Sequence, residues 1–274
     1  MTDHHEPGGR THYHRDGHVA VIELDNPPLN VVSLAMTDSL DRHLAQAADD
    51  PSVRGVVITG RGDRAFCAGS DIGEFDDYMY PGRVVDLKLR HQNEVFDRLE
   101  NLTKPTVAAL NGLAYGGGLE IAMCCDLIVS APDTKVALPE TRLGVFPSSG
   151  GPIRLARRIG PARAKYLIFT ADPIDARTGY EYGLVNELVE DGDVRAGAIS
   201  LAHRLAAGPR IGLAAVKELI NRSHTDDAQS LREASLAFSD QAFSSPECAA
   251  GVHAFRTRTA PNFAAADSVA EVAR

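Results

Sequence analysis

The chain has 274 residues, 44% hydrophobic and 24% charged, which is enough apolar material for a full globular core in one large domain or one domain with an appendage. Its net charge of −9 and pI near 5.6 argue against nucleic acid as a general partner, so any anionic ligand must be held by local donors and a few placed cations. Cys67, Cys124, Cys125 and Cys248 lack paired metal spacing, no apolar run reaches membrane-spanning length, and the polar N-terminus has no signal-peptide core; a soluble, cytoplasmic protein with free thiols is expected.

Residues 1–12 (MTDHHEPGGRTH) are polar and contain Gly and Pro, and are expected to form a flexible end. His4, His5, His12, His14 and His18 read as a mobile tail and not as a metal site, because no acidic or cysteine ligand set accompanies them. Residues 18–24 (HVAVIEL) predict a strand, ended by the rigid turn Asp25-Asn26-Pro27-Pro28. From Leu34 to Ala48 the apolar positions fall near helical spacing, and residues 53–60 (VRGVVITG) predict a second strand. Arg64 to Glu74 (RAFCAGSDIGE) follows it. Its small residues leave the backbone accessible and Arg64 is able to meet a phosphate, although a plain strand-to-helix turn explains the segment equally well. Residues 74–80 (EFDDYMY) suit either a lid or an ordinary exposed loop. Arg83 to Leu102 is amphipathic, with Val84, Leu87, Val95, Leu99 and Leu102 on one broad face.

The strand predicted at Thr106–Leu110 leads into residues 111–126 (NGLAYGGGLEIAMCCD), around which the chain is organised. Three glycines, Gly116 to Gly118, precede a short helix, and the carboxylate of Glu120 lies two residues beyond them. Glycines let a ligand approach the main chain, and a helix N-terminus offers unpaired N–H donors, so the layout suits an oxyanion beside an acid or base. A triple glycine serves tight packing as readily. Brief strands are predicted at Leu127–Ser130 and Lys135–Leu138, and then residues 138–151 (LPETRLGVFPSSGG) bring a second carboxylate, Glu140, after a proline. Two glutamates, each beside a glycine- or proline-fixed turn, make a candidate acid–base pair. A helical stretch starts near Pro152, and from about Val194 strand signals cease and helices follow, as at Val194–Ala207 and Gly212–Asn221. Strands alternating with helices argue for an α/β domain with a helical end.

Six ordered segments now resemble the crotonase, or enoyl-CoA hydratase/isomerase, superfamily: NPPLNVVS, RAFCAGSDI, NGLAYGGGLEIAMCCDLIVSA, VALPETRLGVFPSSGG, DARTGYEYGLVNELV and GVHAFRTRTAPNF. The resemblance implies a spiral of ββα turns at residues 13–195 and a C-terminal helical region at 196–274 that builds homotrimers or dimers of trimers. It places an oxyanion hole at the N–H groups of Ser70 and Gly117, around the thioester carbonyl of an acyl-CoA. It assigns Arg64, Ala65, Ala68, Asp71 and Ile72 to the adenine and phosphate end of CoA, and brings Arg256 or Arg258 near a phosphate without a clean match. Glu120 and Glu140 match the glutamate pair that adds water to a 2-enoyl thioester. Metal and redox cofactors are not expected; CoA enters with the substrate, and neither nucleic acid nor membrane is an expected partner. One departure stands out: Ser148-Ser149 where hydratases of the family have Gly-Ala. This leaves the acyl group open, and a branched or hydroxylated one suits Ser148 as a substrate-binding residue. Double-bond isomerisation, dehydration and thioester hydrolysis are the alternatives, and a non-catalytic or RNA-binding role on the same fold is a remote one.

Overall fold

The computed structural model describes residues 9–266. Strands β1 (Arg10–Asp16) and β2 (Val19–Asp25) form an antiparallel hairpin, whose tight turn uses the positive φ of Gly17. Helix α1 (Leu34–Asp49) follows, its first turn capped by Ser33, whose side chain accepts from Met36 N–H. The chain continues through β3 (Gly55–Gly60), β4 (Ala65–Cys67) and α2 (Arg90–Glu100), then β5 (Thr106–Leu110), β6 (Leu113–Tyr115) and α3 (Gly117–Cys124). Next come β7 (Leu127–Ser130), β8 (Lys135–Ala137), α4 (Gly151–Ile159) and α5 (Pro161–Thr170). After β9 (Ile174–Asp175), α6 (Ala176–Tyr182) and β10 (Glu187–Leu188), four helices close the described chain: α7 (Val194–Ala206), α8 (Arg210–Arg222), α9 (Ala228–Phe243) and α10 (Pro246–Thr257).

The strands sort into a six-stranded sheet, β1-β2-β3-β5-β7-β10, and a four-stranded one, β4-β6-β8-β9. All pairings are parallel except β1 with β2 and β8 with β9. Three successive turns, β3-β4-α2, β5-β6-α3 and β7-β8-α4, each give one strand to each sheet and then a helix, so the chain advances as a spiral. The central strands β2, β3, β5 and β7 of the large sheet are buried on both faces, which is why they read as apolar runs. Ala20, Ile22 and Leu24 of β2 face the main core with α1 and α2, while Val19 and Val21 face a second layer completed by α7 through Ala198, Leu201 and Ala202.

One expectation is corrected at the N-terminal end. Residues 1–8, with His4 and His5, lie outside the described residues, but Arg10–His12 are not a frayed end; they begin β1, where Thr11 is buried and His12 Nε2 lies 2.6 Å from Asp25 Oδ2. From Val194 onward the described residues form helices and no strand, as expected for the C-terminal helical region. Helix α7 covers the large sheet, and the first helix with no buried residue is α8. Among the described residues no helix is long and apolar enough to cross a membrane.

Candidate active site

The spiral delivers two loops to one place. After β4 the chain runs through Gly69 and Ser70, and Ser70 pairs with Val32 in an isolated parallel bridge: Val32 N–H donates to Gly69 O at 2.7 Å and Asp71 N–H donates to Val32 O at 2.9 Å. That pairing uses the carbonyl of Gly69 and the N–H of Asp71, and not the N–H of Ser70. After β6 the chain turns at Gly116 (φ +51) and starts α3 with Gly117, whose N–H is one of the helix's first, uncommitted donors. The two loops meet closely: a Cβ built on Gly117 would lie 3.7 Å from both N and Oγ of Ser70. Ser70 and Gly117, expected together from sequence, are brought together. Next to them Gly118 has no room for any side chain, since its Cβ would fall 2.2 Å from Cys67 O.

One turn into α3, Glu120 is only 3% exposed. Its Oε1 accepts the backbone N–H groups of Ser149 and Gly151, each at 2.9 Å. The turn that offers these donors is held by Arg154, itself buried, which donates to Ser149 O (2.8 Å), Asp97 Oδ1 (2.7 Å) and Glu100 Oε2 (2.7 Å). Gln92 Nε2 adds a bond to Ser149 Oγ at 2.6 Å. Gly150, with φ +90, is obligatory in this turn, because a Cβ there would strike Arg154. Burial drives the Glu120 carboxyl up to about 7 against the lowering pull of the two N–H groups and Arg154.

Glu140 opens the short 3₁₀ turn Glu140–Leu143 that follows β8. Its Oε2 is buried and accepts no hydrogen bond among the described residues. Desolvation pushes its carboxyl up to about 7 as well, against the lowering pull of its own backbone N–H, with a smaller upward push from the charge of Glu120. Both glutamates line one cavity of about 220 Å³, below the roughly 300 Å³ and upward of sites for drug-sized ligands. Ser70, Ser148, Ser149, Tyr78 and Lys88 add to its polar lining, and Phe75, Val145 and Phe146 are among its apolar residues.

The other sequence candidates are not among the residues that line this cavity. Arg64 and Ile72 are exposed, Ala65 is buried in β4, Ala68 N–H donates to Leu29 O, and Asp71 caps the 3₁₀ turn Ile72–Asp77 by accepting from Gly73 N–H. Arg256 and Arg258 lie exposed at the end of α10. The 74–80 segment is tied down: Glu74 accepts from Leu34 N–H, Tyr78 Oη and Lys88 Nζ, and Phe75, Tyr78 and Met79 line the cavity. Of the serine pair, the sequence singled out Ser148. It does line the cavity, but the N–H that holds Glu120 belongs to Ser149. Arg154, Gln92 and Lys88 gave no signal of their own, since each reads as the polar face of a helical stretch.

Known proteins resemble this chain over most of its length. Residues 14–266 match the family model described as Enoyl-CoA hydratase/isomerase. A short-chain-enoyl-CoA hydratase from Clostridium acetobutylicum is 36% identical over 231 residues, 84% of this chain and 86% of that protein. A carnitinyl-CoA dehydratase from Salmonella typhi is 35% identical over 214 residues, 76% of this chain and 78% of that one. The crystal structure of an enoyl-CoA hydratase from Bacillus anthracis superposes with a TM-score of 0.86 at 31% identity, covering 92% of this chain and 98% of its own.

Proposed function

The chain belongs to the enoyl-CoA hydratase/isomerase family, and from that premise we propose that it adds water reversibly to the 2,3 double bond of a short enoyl-CoA thioester, with Glu120 and Glu140 as its acid–base pair. The observation that carries the reading is the pair itself: two carboxyls on one small cavity, both raised to about 7 yet differently surrounded. Glu120 accepts two N–H bonds and feels Arg154, all favouring its charged form; Glu140 has only its own backbone N–H, its Oε2 accepts none, and the charge of Glu120 favours its acid form. Glu120 then takes a proton from water as the water oxygen bonds to Cβ, while Glu140 gives its proton to Cα. The N–H groups of Ser70 and Gly117 receive the enolate-like thioester oxygen, where one such donor is worth about 3 kcal/mol of barrier. Returning the proton from Glu120 to Glu140 through solvent completes the cycle, and the reverse sequence is dehydration.

Arg64, Ala65, Ala68, Asp71 and Ile72, in and after β4 on the segment that leads to and past Ser70, are assigned to the adenine and phosphate end of CoA, with Arg64 and Ile72 exposed. The chemistry needs no metal or redox group. Helices α8 and α9 bury no residue within the chain, which supports a homotrimer or dimer of trimers, and the cell compartment that fits is the cytoplasm. A second reading, dehydration of a 3-hydroxyacyl-CoA as the working direction, is favoured by the dehydratase relative. Two assays separate hydration from isomerisation: crotonyl-CoA should lose its conjugated absorbance rapidly, and a 3-enoyl-CoA should gain it slowly or not at all. Rapid gain with no loss on crotonyl-CoA would replace the hydratase reading with an isomerase.

A further inference from the structure

Lys88 is a buried charge on the cavity wall that the hydration chemistry does not use. Its side chain is 3% exposed, and it lies in the π-turn Val85–Leu89 just before α2. The ammonium donates to Glu74 Oε2 at 2.7 Å and to Val32 O at 3.3 Å, and it sits 5.5 Å from the centre of the Tyr78 ring. An ammonium has three N–H donors, and the described residues give it two acceptors. Tyr78 Oη donates to the same Glu74 oxygen at 3.1 Å, so its own lone pairs stay available as an acceptor beside the lysine. Burial and Glu74 push the Tyr78 hydroxyl up to about 12, so it keeps its proton throughout the physiological range. Both side chains line the cavity that holds Glu120 and Glu140.

A cavity built for a plain alkyl tail has no use for such a pair, because an apolar ligand leaves a buried donor unmatched. The charge of Lys88 is already neutralised by Glu74, and two glutamates share the cavity, so an anionic tail is disfavoured as well. We propose that Lys88 and Tyr78 form a donor–acceptor pair that selects a short acyl chain carrying a hydroxyl group beyond the double bond. The hydroxyl oxygen accepts from Lys88 Nζ and its hydrogen is donated to Tyr78 Oη, while Phe75, Met79 and Val84 pack the remaining carbon atoms. This deepens the hydratase reading and rests on it.

The test is a ratio of substrates. Hydration rates (kcat/KM) are measured for crotonyl-CoA, trans-2-pentenoyl-CoA and their terminally hydroxylated counterparts, with wild type, Lys88→Met, Lys88→Arg and Tyr78→Phe. The expected wild-type preference for the hydroxylated chain is roughly tenfold or more, falling toward unity in Lys88→Met and Tyr78→Phe. A purely structural clamp would lower both rates together and leave the ratio intact, which overturns the proposal, as does a wild-type ratio near one. A preference for glutaconyl-CoA over the hydroxylated chain overturns it too. Kd values for the same four thioesters on Glu140→Gln and Glu140→Gln/Lys88→Met read the selection without turnover. If no enoyl-CoA is hydrated but the Kd ratio still depends on Lys88, the hydratase reading fails and this site stands; equal Kd ratios in the two proteins overturn the site.

Discussion

Glu120 is pulled in two directions: burial opposes its charge, while the N–H groups of Ser149 and Gly151 favour it. Burial wins. A glutamate in the unfolded chain ionises near about 4.3, whereas the folded group ionises at about 7, so the folded state holds an extra proton between those values. The resulting stability is fully present below the unfolded value and is lost as pH rises through 7. Glu120→Gln, which imitates the protonated group, should therefore gain about 2–3 kcal/mol more at pH 8 than at pH 5. Denaturant midpoints of wild type and variant at the two pH values measure this; an identical difference at both would mean that the carboxyl is not held against ionisation. Such a cost fits the role proposed for Glu120, proton transfer near neutrality.

At the scale of one element, α3 places two glycines side by side with different duties. Gly118 is a packing requirement, because any Cβ would fall on Cys67 O of β4 at 2.2 Å. Gly117 has space: its Cβ would meet Val32 Cγ2 at 3.6 Å and Ser70 N at 3.7 Å, in the gap proposed above for the substrate oxygen. Gly118→Ala should lower stability by roughly 1–3 kcal/mol through overpacking. Gly117→Ala should fold with an unchanged or higher Tm and lose on the order of a hundredfold in kcat. Calorimetric Tm beside kcat separates the two, and full activity in Gly117→Ala would remove its N–H from the oxyanion site. The elements that the sequence shows plainly are those whose packing leaves a periodic trace. Strands β2, β3, β5 and β7 are buried on both faces and read as apolar runs, and α1 repeats its apolar face. Strand β1 was hidden, since its edge position leaves a polar, half-exposed sequence; β4, β6, β9 and β10 are two or three residues long, too short for any period. In the site, Glu120 and Glu140 were legible because each stands beside a glycine or proline turn. Arg154 and Lys88 were not, because only folding turns a polar helix face inward onto Glu100 and Glu74.

For the whole molecule, the spiral brings together groups that are far apart in sequence. The turn after β4 brings Ser70, the turn after β6 brings Gly117 and Glu120, and the turn after β8 brings Glu140. Each successive ββα turn thus adds one part of the same site. Beyond the spiral, α8 to α10 expose Leu236 (66%), Phe243 (81%) and Phe255 (86%), more apolar side chain than a lone chain usually leaves in water. Light scattering should accordingly give three or six times the chain mass of 29.3 kDa, and a mass of one chain at micromolar concentration would contradict an assembly built on these helices. They are anchored to the core by Arg54, which donates to Ala206 O and Gly208 O and pairs with the buried Glu247 of α10. The central claim, that the two glutamates converge on one reacting double bond, is tested most directly by the decay of crotonyl-CoA absorbance with wild type, Glu120→Gln and Glu140→Gln. Rapid decay in wild type and a loss of at least about a hundredfold in kcat for each variant are predicted. Wild-type decay that survives either substitution would contradict the account.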